Sequence, residues 1–293
     1  MEIGKSSGKL NLQRQGFLGA NSEHALRQTK VAIVGLGGGG SHIAQQLGHV
    51  GVGQFVLLDP DRIEDTNLNR LVGGSLDDTE HKLEKVLIAK RVIQSVNRYA
   101  NVIAKPTPWQ EQTSLLQGCD VVFGCIDSLI GRSELEAFAR RCMIPLIDIG
   151  MDVHSVEGGF IISGQVALSM PDMPCLRCTG LLPDLEMTKE AERYGGAGAR
   201  PQVIWPNAVL ASTAVGLLMQ LVTPWHKTNE ISLLLEYDGN KQTVTPSSKL
   251  PYLRPQCSHF SDIGNLGDSF WSPEVGPLIK TDATGPGKGA ASR

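Results

Sequence analysis

The run Val31-Ala32-Ile33-Val34 passes directly into Gly35-Leu36-Gly37-Gly38-Gly39-Gly40, and nothing else in the chain restricts its fold so strongly. Four apolar residues, three of them β-branched, read as a buried strand. Ser41 to Val50 then suits a helix, with Ile43, Ala44 and Leu47 at helical spacing. Phe55-Val56-Leu57-Leu58 reads as a second buried strand that ends at Asp59. Strand, glycine turn, helix and strand within about 30 residues make a βαβ unit, the opening of a doubly wound sheet. Glycine is required at the turn because a Cβ would block both the tight bend and the backbone's approach to a phosphate. The first amides of the helix then face an anion with the positive end of the helix dipole.

The alternation continues, with helices predicted over Leu83 to Val96 and Arg132 to Arg141. Strands are predicted at Val121-Val122-Phe123 and Leu146-Ile147-Asp148. Gly159 to Ser169 alternates like an antiparallel extension, Ala208 to Val222 is a strongly apolar helix, and Ile231 to Tyr237 is a late strand. The expected fold class is α/β, a Rossmann-like doubly wound mixed sheet with an antiparallel C-terminal extension. Residues 1–28 read as an arm or short helix, 29–260 as the principal domain, and 273–293, rich in Gly, Pro, Ser and Thr, as a disordered tail. Residues 179–206 carry Gly, Pro and charge and read as a long surface loop.

Bulk properties exclude some classes of function. A chain of 293 residues with 41% hydrophobic and 19% charged residues buries a sizeable core and is not disordered as a whole. A net charge of −3 gives no basic surface for nucleic acid. No wholly apolar run reaches the roughly 18 residues of a membrane span, and the N-terminus lacks the apolar core of a secretory signal. A cytoplasmic protein without nucleic-acid or membrane partners is expected.

Up to Asp59, whose carboxylate suits both ribose hydroxyls, an NAD-dependent oxidoreductase fits as well as an ATP enzyme. Asn67-Leu68-Asn69-Arg70 separates the two. Arg70 can neutralise phosphate charge and Asn67 can bond to sugar or phosphate. Lys85 adds a second positive charge. Asp127, following the strand at Val121, stands where ligands bind in open α/β sheets and suits Mg²⁺.

Together, Val31–Gly40, Gly51-Val52-Gly53, Leu57-Leu58-Asp59-Pro60-Asp61, Thr66-Asn67-Leu68-Asn69-Arg70 and Cys125-Ile126-Asp127-Ser128 resemble the ThiF/MoeB/HesA family, relatives of ubiquitin-activating enzymes. The resemblance covers roughly residues 12–245. It implies a homodimer whose 29–260 region adenylates the C-terminal carboxylate of a small ubiquitin-like or sulfur-carrier protein with ATP and Mg²⁺, releasing pyrophosphate. The glycines Gly35, Gly37, Gly38 and Gly40 would cradle the nucleotide. Asp59 and Asp61 would serve the ribose end, Asn67, Arg70 and Lys85 the phosphates, and Asp127 the Mg²⁺. Lys82 competes with Lys85. Arg14, in the arm, resembles an arginine that reaches the partner's phosphates, which gives Arg14, Arg70, Lys85 and Asp127 as the catalytic set. The stretch from Ile162 to Asn207 is similar to ThiF-like proteins of bacterial ubiquitin-like conjugation gene clusters. Adenylation of a peptide or nucleoside carboxylate is the alternative within the class, and an NAD-dependent oxidoreductase or a non-catalytic scaffold the alternatives outside it.

Cys175-Leu176-Arg177-Cys178 has zinc-knuckle spacing and matches half of the family's structural Zn²⁺ site. Its second half is reduced to Cys257-Ser258-His259, so a three-cysteine, one-histidine site competes with a plain thiol pair or a reactive thiolate. Cys119, Cys125 and Cys142 lie in apolar surroundings and read as buried thiols. Family members that transfer through a thioester or persulfide carry a cysteine in the loop before the last long helix. Residues 179–206 contain none, and Gly198 falls near its position. Gln202, Trp205 and Asn207 would line the channel for the incoming tail, or else Trp205 anchors the loop in the core.

Overall fold

The computed structural model describes residues 10–192, 201–227, 231–254, 257 and 259–260; Gly198 and the 273–293 tail lie outside them. The arm is helical: a 3-10 turn at Gln13–Leu18 precedes α1 (Ser22–Gln28). The βαβ unit follows as β1 (Lys30–Val34), α2 (Gly38–Val50) and β2 (Gln54–Leu58). Next come α3 (Leu76–Glu80), α4 (Lys85–Val96) and β3 (Asn101–Lys105), then α5 (Thr113–Gln117), β4 (Val121–Gly124) and α6 (Leu129–Arg141). The chain continues through β5 (Leu146–Val156), β6 (Gly159–Ser169), α7 (Asp184–Glu192) and α8 (Ile204–Val222). It closes with β7 (Leu234–Asp238) and β8 (Thr243–Pro246).

One eight-stranded sheet runs β3-β2-β1-β4-β5-β6-β7-β8. The strands from β3 to β5 are parallel, and those from β5 to β8 are antiparallel. Period-two alternation splits each central strand between two cores. Val31, Ile33, Phe55, Leu57, Val121 and Phe123 enter one core with α2, α4 and α8. Ala32, Val34, Val56, Leu58 and Val122 enter the other with α5 and α6. Burial on both faces is what a parallel sheet covered by crossover helices requires, and it explains why these strands read as unbroken apolar runs.

The chain departs from these expectations at several points. Residues 179–206 are not one loop, because they hold α7 and the first turn of α8. The edge strands β3 and β8 were not anticipated. Trp205 is 50% exposed, so it does not anchor that segment in the core. The 19-residue α8 is long and apolar enough by composition to cross a membrane. It is nevertheless a core helix, with Leu210, Ala211, Ala214, Leu217 and Leu218 packed in the first core.

Strand order reverses between β1 and β4, and the carboxyl ends of these two strands diverge into the crevice where such sheets bind ligands.

Candidate active site

The glycine turn is held between the ends of three strands. The Gly35 N–H donates to the Leu58 carbonyl at 2.9 Å, and the Cys125 N–H donates to the Val34 carbonyl at 2.8 Å. Gly35 has φ +88°, and a Cβ there would lie 2.3 Å from the Cys125 carbonyl oxygen. A Cβ on Gly40 would lie 1.9 Å from the Gly35 carbonyl oxygen. Gly40 therefore lets α2 close against the turn and does not face the cavity, while Gly35, Gly37, Gly38 and Gly39 do. Asp59 is buried, and its carboxylate accepts the N–H of Leu36 at 2.5 Å and of Asp61 at 2.8 Å. Burial pushes its carboxyl up, against the pull of Lys85 and of those two N–H donors. Asp59 thus shapes the turn as well as facing the cavity.

A cavity of about 750 Å³ opens at this point. Lys85, at the first turn of α4, is buried, faces the cavity and pairs with Asp61 at 2.7 Å. Lys82 is exposed and is not part of the wall, which separates the two competing lysines. Arg70 also faces the cavity, with its guanidinium held by the Thr66 carbonyl at 2.6 Å and Asn69 Oδ1 at 3.1 Å. Asn67 is different: it is buried, and its Oδ1 accepts the Glu64 N–H at 3.1 Å in a capping box. The side chain of Asn67 orders the loop that carries Arg70 and is not on the wall. Asp127 lies on the wall and accepts from Gln202 Nε2 at 3.4 Å, and the Gln202 carbonyl accepts from Asn69 at 3.0 Å. Gln202 and Asn207 line the cavity and Trp205 does not. Arg14 is exposed in the arm and is not brought to its own chain's cavity.

The far wall is the β5–β6 ribbon, through Gly150, Asp152, His154, Ser163 and Gln165. In register, Gly150 pairs with Gln165 and Asp152 with Ser163, so alternation places these residues on one face. Between the two ends stands Arg132, buried and ion-paired with the fully enclosed Asp148. Burial raises the Asp148 carboxyl and Arg132 opposes that rise. Sequence reading passed over Arg132, although an acid inside the apolar strand Leu146-Ile147-Asp148-Ile149 signals a buried cation nearby. Cys125 also faces the cavity, where burial and the carboxylates of Asp148, Asp127 and Asp59 push its thiol well up.

A second cluster lies beyond α6. Cys175, Cys178, Cys257 and His259 place one ligand atom each within 4.8 Å of the others. Cys178 Sγ is 3.6 Å from the Sγ of Cys175 and of Cys257, and His259 Nδ1 is 3.5, 3.4 and 3.9 Å from the three sulfurs. Tetrahedral bonds of metal–sulfur and metal–nitrogen length give edges of about 3.8 and 3.6 Å, so the donor set fits a tetrahedral metal ion. For Cys257, burial acts to raise the thiol. Hydrogen bonds from Cys175, from the His259 and Phe260 N–H groups and from Cys178 outweigh it and bring the thiol down to about 7.

A sequence profile of the ThiF family matches residues 10–259. The chain belongs to the ThiF family. Two relatives are the molybdopterin-synthase adenylyltransferase of Salmonella typhimurium, 30% identical over 164 residues, and the SAMP-activating enzyme E1 of Haloferax volcanii, 30% identical over 213. The first match covers 55% of this chain and 62% of the relative, and the second covers 69% and 72%. The chain thus spans less than two thirds of the Salmonella protein. The fold is also that of E. coli MccB solved with ATP, with a TM-score of 0.61 and 22% identity over 78% of this chain and 67% of MccB. The family match runs through the glycine turn and ends at the Cys/His cluster.

Proposed function

We propose that this chain uses ATP to adenylate the C-terminal carboxylate of a small ubiquitin-like or sulfur-carrier protein. The observation that carries this reading is that one cavity joins two kinds of wall. At one end are a glycine turn, Asp59, Lys85, Arg70 and Asp127, and at the other an open antiparallel ribbon long enough for an extended tail. The turn and the α2 N-terminus would hold the phosphates, Asp59 the ribose, and Lys85 and Arg70 the charge of the departing pyrophosphate. Asp127 would hold Mg²⁺, which when bound neutralises phosphate charge. The tail carboxylate oxygen forms a bond to the α-phosphorus, the α–β anhydride bond breaks, and pyrophosphate leaves. No proton need move, so positioning and charge neutralisation carry the rate.

The reaction here stops at the acyl adenylate. Residues 179–206 hold no cysteine, and Cys125, with its thiol pushed up, is a poor nucleophile. The adenylate then passes to a nucleophile on another molecule. Zn²⁺ in the Cys175, Cys178, Cys257 and His259 cluster is structural in this reading. The chain acts as a homodimer in which Arg14 completes the partner's cavity. The arm supports this, since Phe17 is 71% exposed and stacks edge-on to Trp225 at 6.5 Å. Mixing inactive Arg14→Ala and Asp127→Ala chains then restores part of the activity, because one of the two sites in a mixed dimer is intact.

The deciding experiment is ATP–pyrophosphate exchange with candidate small proteins that end in Gly-Gly. Stimulation by one of them supports the reading. Exchange stimulated only by a short peptide moves the substrate to the peptide class, and no exchange with either sinks the adenylation reading.

A further inference from the structure

Arg132, Glu136 and Arg140 follow one another at four-residue spacing, which sets all three on one face of α6. They are 6%, 1% and 1% exposed, and charged side chains are rarely so buried unless each is paired. Each holds a different part of the molecule. Arg132, on the cavity wall, pairs with Asp148 of β5. Glu136 Oε1 accepts the Ser169 hydroxyl at 2.5 Å and the Leu176 N–H at 2.8 Å, and Leu176 lies inside the Cys175–Cys178 turn. Arg140 donates to the carbonyls of Met170 and Met173, and its guanidinium lies 5.0 Å from the ring centre of Phe260, the neighbour of His259. One helix face therefore touches the cavity at one end and both ligand-bearing segments of the Cys/His cluster at the other.

We propose that this stripe couples the two sites, so that a metal ion in the cluster and a nucleotide in the cavity each favour binding of the other. The inference rests on the reading of the cavity as an ATP site and of the cluster as a zinc site. A metal fixes the Cys175–Cys178 turn and with it the Leu176 N–H, which fixes Glu136. The Cys257–His259 segment fixes Phe260 and through it Arg140. Glu136 lies one turn from each arginine, and in a poorly solvated interior a buried charge cannot move without disturbing its neighbours. The position of α6, and so of Arg132 beside the ligand, depends on the state of the cluster. Coupling between binding sites is reciprocal, so a bound nucleotide must also retain the metal. Glu136 and Arg140 touch neither ligand and are positioning residues.

The test uses the full, zinc-loaded chain. Zinc affinity is measured by equilibrium competition with a chromophoric chelator, with and without a saturating non-hydrolysable ATP analogue, whose binding is measured separately by calorimetry. The analogue is expected to tighten zinc binding at least about fivefold, the lower end of ordinary coupling. Glu136→Gln keeps the acceptor oxygen and removes the charge. Phe260→Ala cuts the Arg140 contact at a partly exposed position and leaves the buried charges in place. In both variants the effect of the analogue is expected to fall below twofold while analogue and zinc still bind, and Arg140→Lys is expected to keep more of it than Arg140→Met. Equal zinc affinities with and without bound analogue in the unaltered chain would overturn the coupling alone. Full coupling retained in both Glu136→Gln and Phe260→Ala would overturn the stripe as its carrier. An analogue that does not bind, or a cluster that takes no zinc, would remove the underlying reading and this inference with it.

Discussion

Along β1 and β2 every residue after the first is buried, and β4 is buried throughout, whereas burial fades along β5 until its last three residues are exposed. The cavity is built across this contrast. The parallel half lines the cavity with a turn fixed by two glycines that admit no side chain and an acid held by two amides, and Lys85, Arg70 and Asp127 stand on the same wall. The antiparallel half lines the cavity with side chains on a ribbon that leaves the core, and Val156, Phe160 and Ile161 stand exposed at its tip. In the proposed reaction the rigid glycine turn would suit the part of the substrate that never changes, the nucleotide. The more open ribbon would suit the part that distinguishes one carrier protein from another.

The largest effect expected from breaking this contrast is on catalysis at the parallel end. Asp127→Ala should lower exchange by roughly a thousandfold, about 4 kcal/mol, and unchanged exchange would remove Asp127 as the metal-holding residue. A comparison of two glycines comes next. Gly40→Ala drives a methyl to within 1.9 Å of a backbone oxygen, whereas Gly159→Ala, in the ribbon, meets nothing within 4 Å. Thermal unfolding should show the first destabilised by about 3 kcal/mol and the second within about 0.5 kcal/mol of the parent; equal effects would mean that the turn is not fixed as described.

A smaller effect concerns acid stability in the parallel half. Hydrogen bonds from Arg91 hold the Asp78 carboxyl down at about 2, against burial and with help from Ser75. Because this lies below the unfolded value near 3.9, the pairing stabilises the fold above about pH 4 and is lost as pH falls through about 2. Arg91→Met should therefore cost about 1 kcal/mol at pH 7, Arg91 being half exposed. That cost should shrink towards zero in unfolding curves recorded between pH 4 and 2. Last, Phe160→Ser should leave stability unchanged and raise the KM for the carrier protein about fivefold, roughly 1 kcal/mol. If KM does not move, the tip of the ribbon takes no part in docking.

The same contrast decides what could be read in the sequence. β1, β2 and β4 were legible because burial on both faces leaves unbroken apolar runs ending at functional turns. β3 and β8 were not, since Asn101–Lys105 and Thr243–Pro246 are short edge strands with mixed polarity and no clear period. α7 was hidden by flanking Pro and Gly, which suggested a loop. Within the site, Asp127 could be placed by its position after a strand, Lys85 stayed open against Lys82, and Asn67 could not be placed. Whether an asparagine faces a ligand or caps its own loop depends on a hydrogen bond that spacing does not specify. The approach of Cys257 and His259 to Cys175 and Cys178 joins residues about 80 positions apart. The tight Cys-x-His spacing obscured it further, because one intervening residue is short for two ligands of one metal ion.

The sheet ends at β3 on one side and β8 on the other. Open sheets of this kind invite fusion with a neighbour, since an unpaired edge is a template for another strand. Here one edge is five residues long and closes on Lys105, and the other is four residues long, wholly exposed and ends in Pro246. A charge and an imino acid make poor templates, and so few free backbone groups give an incoming strand little to hold. Among the described residues both edges are therefore poor sites for edge-to-edge pairing, and under the proposed function a carrier protein would meet the ribbon face in place of a sticky margin.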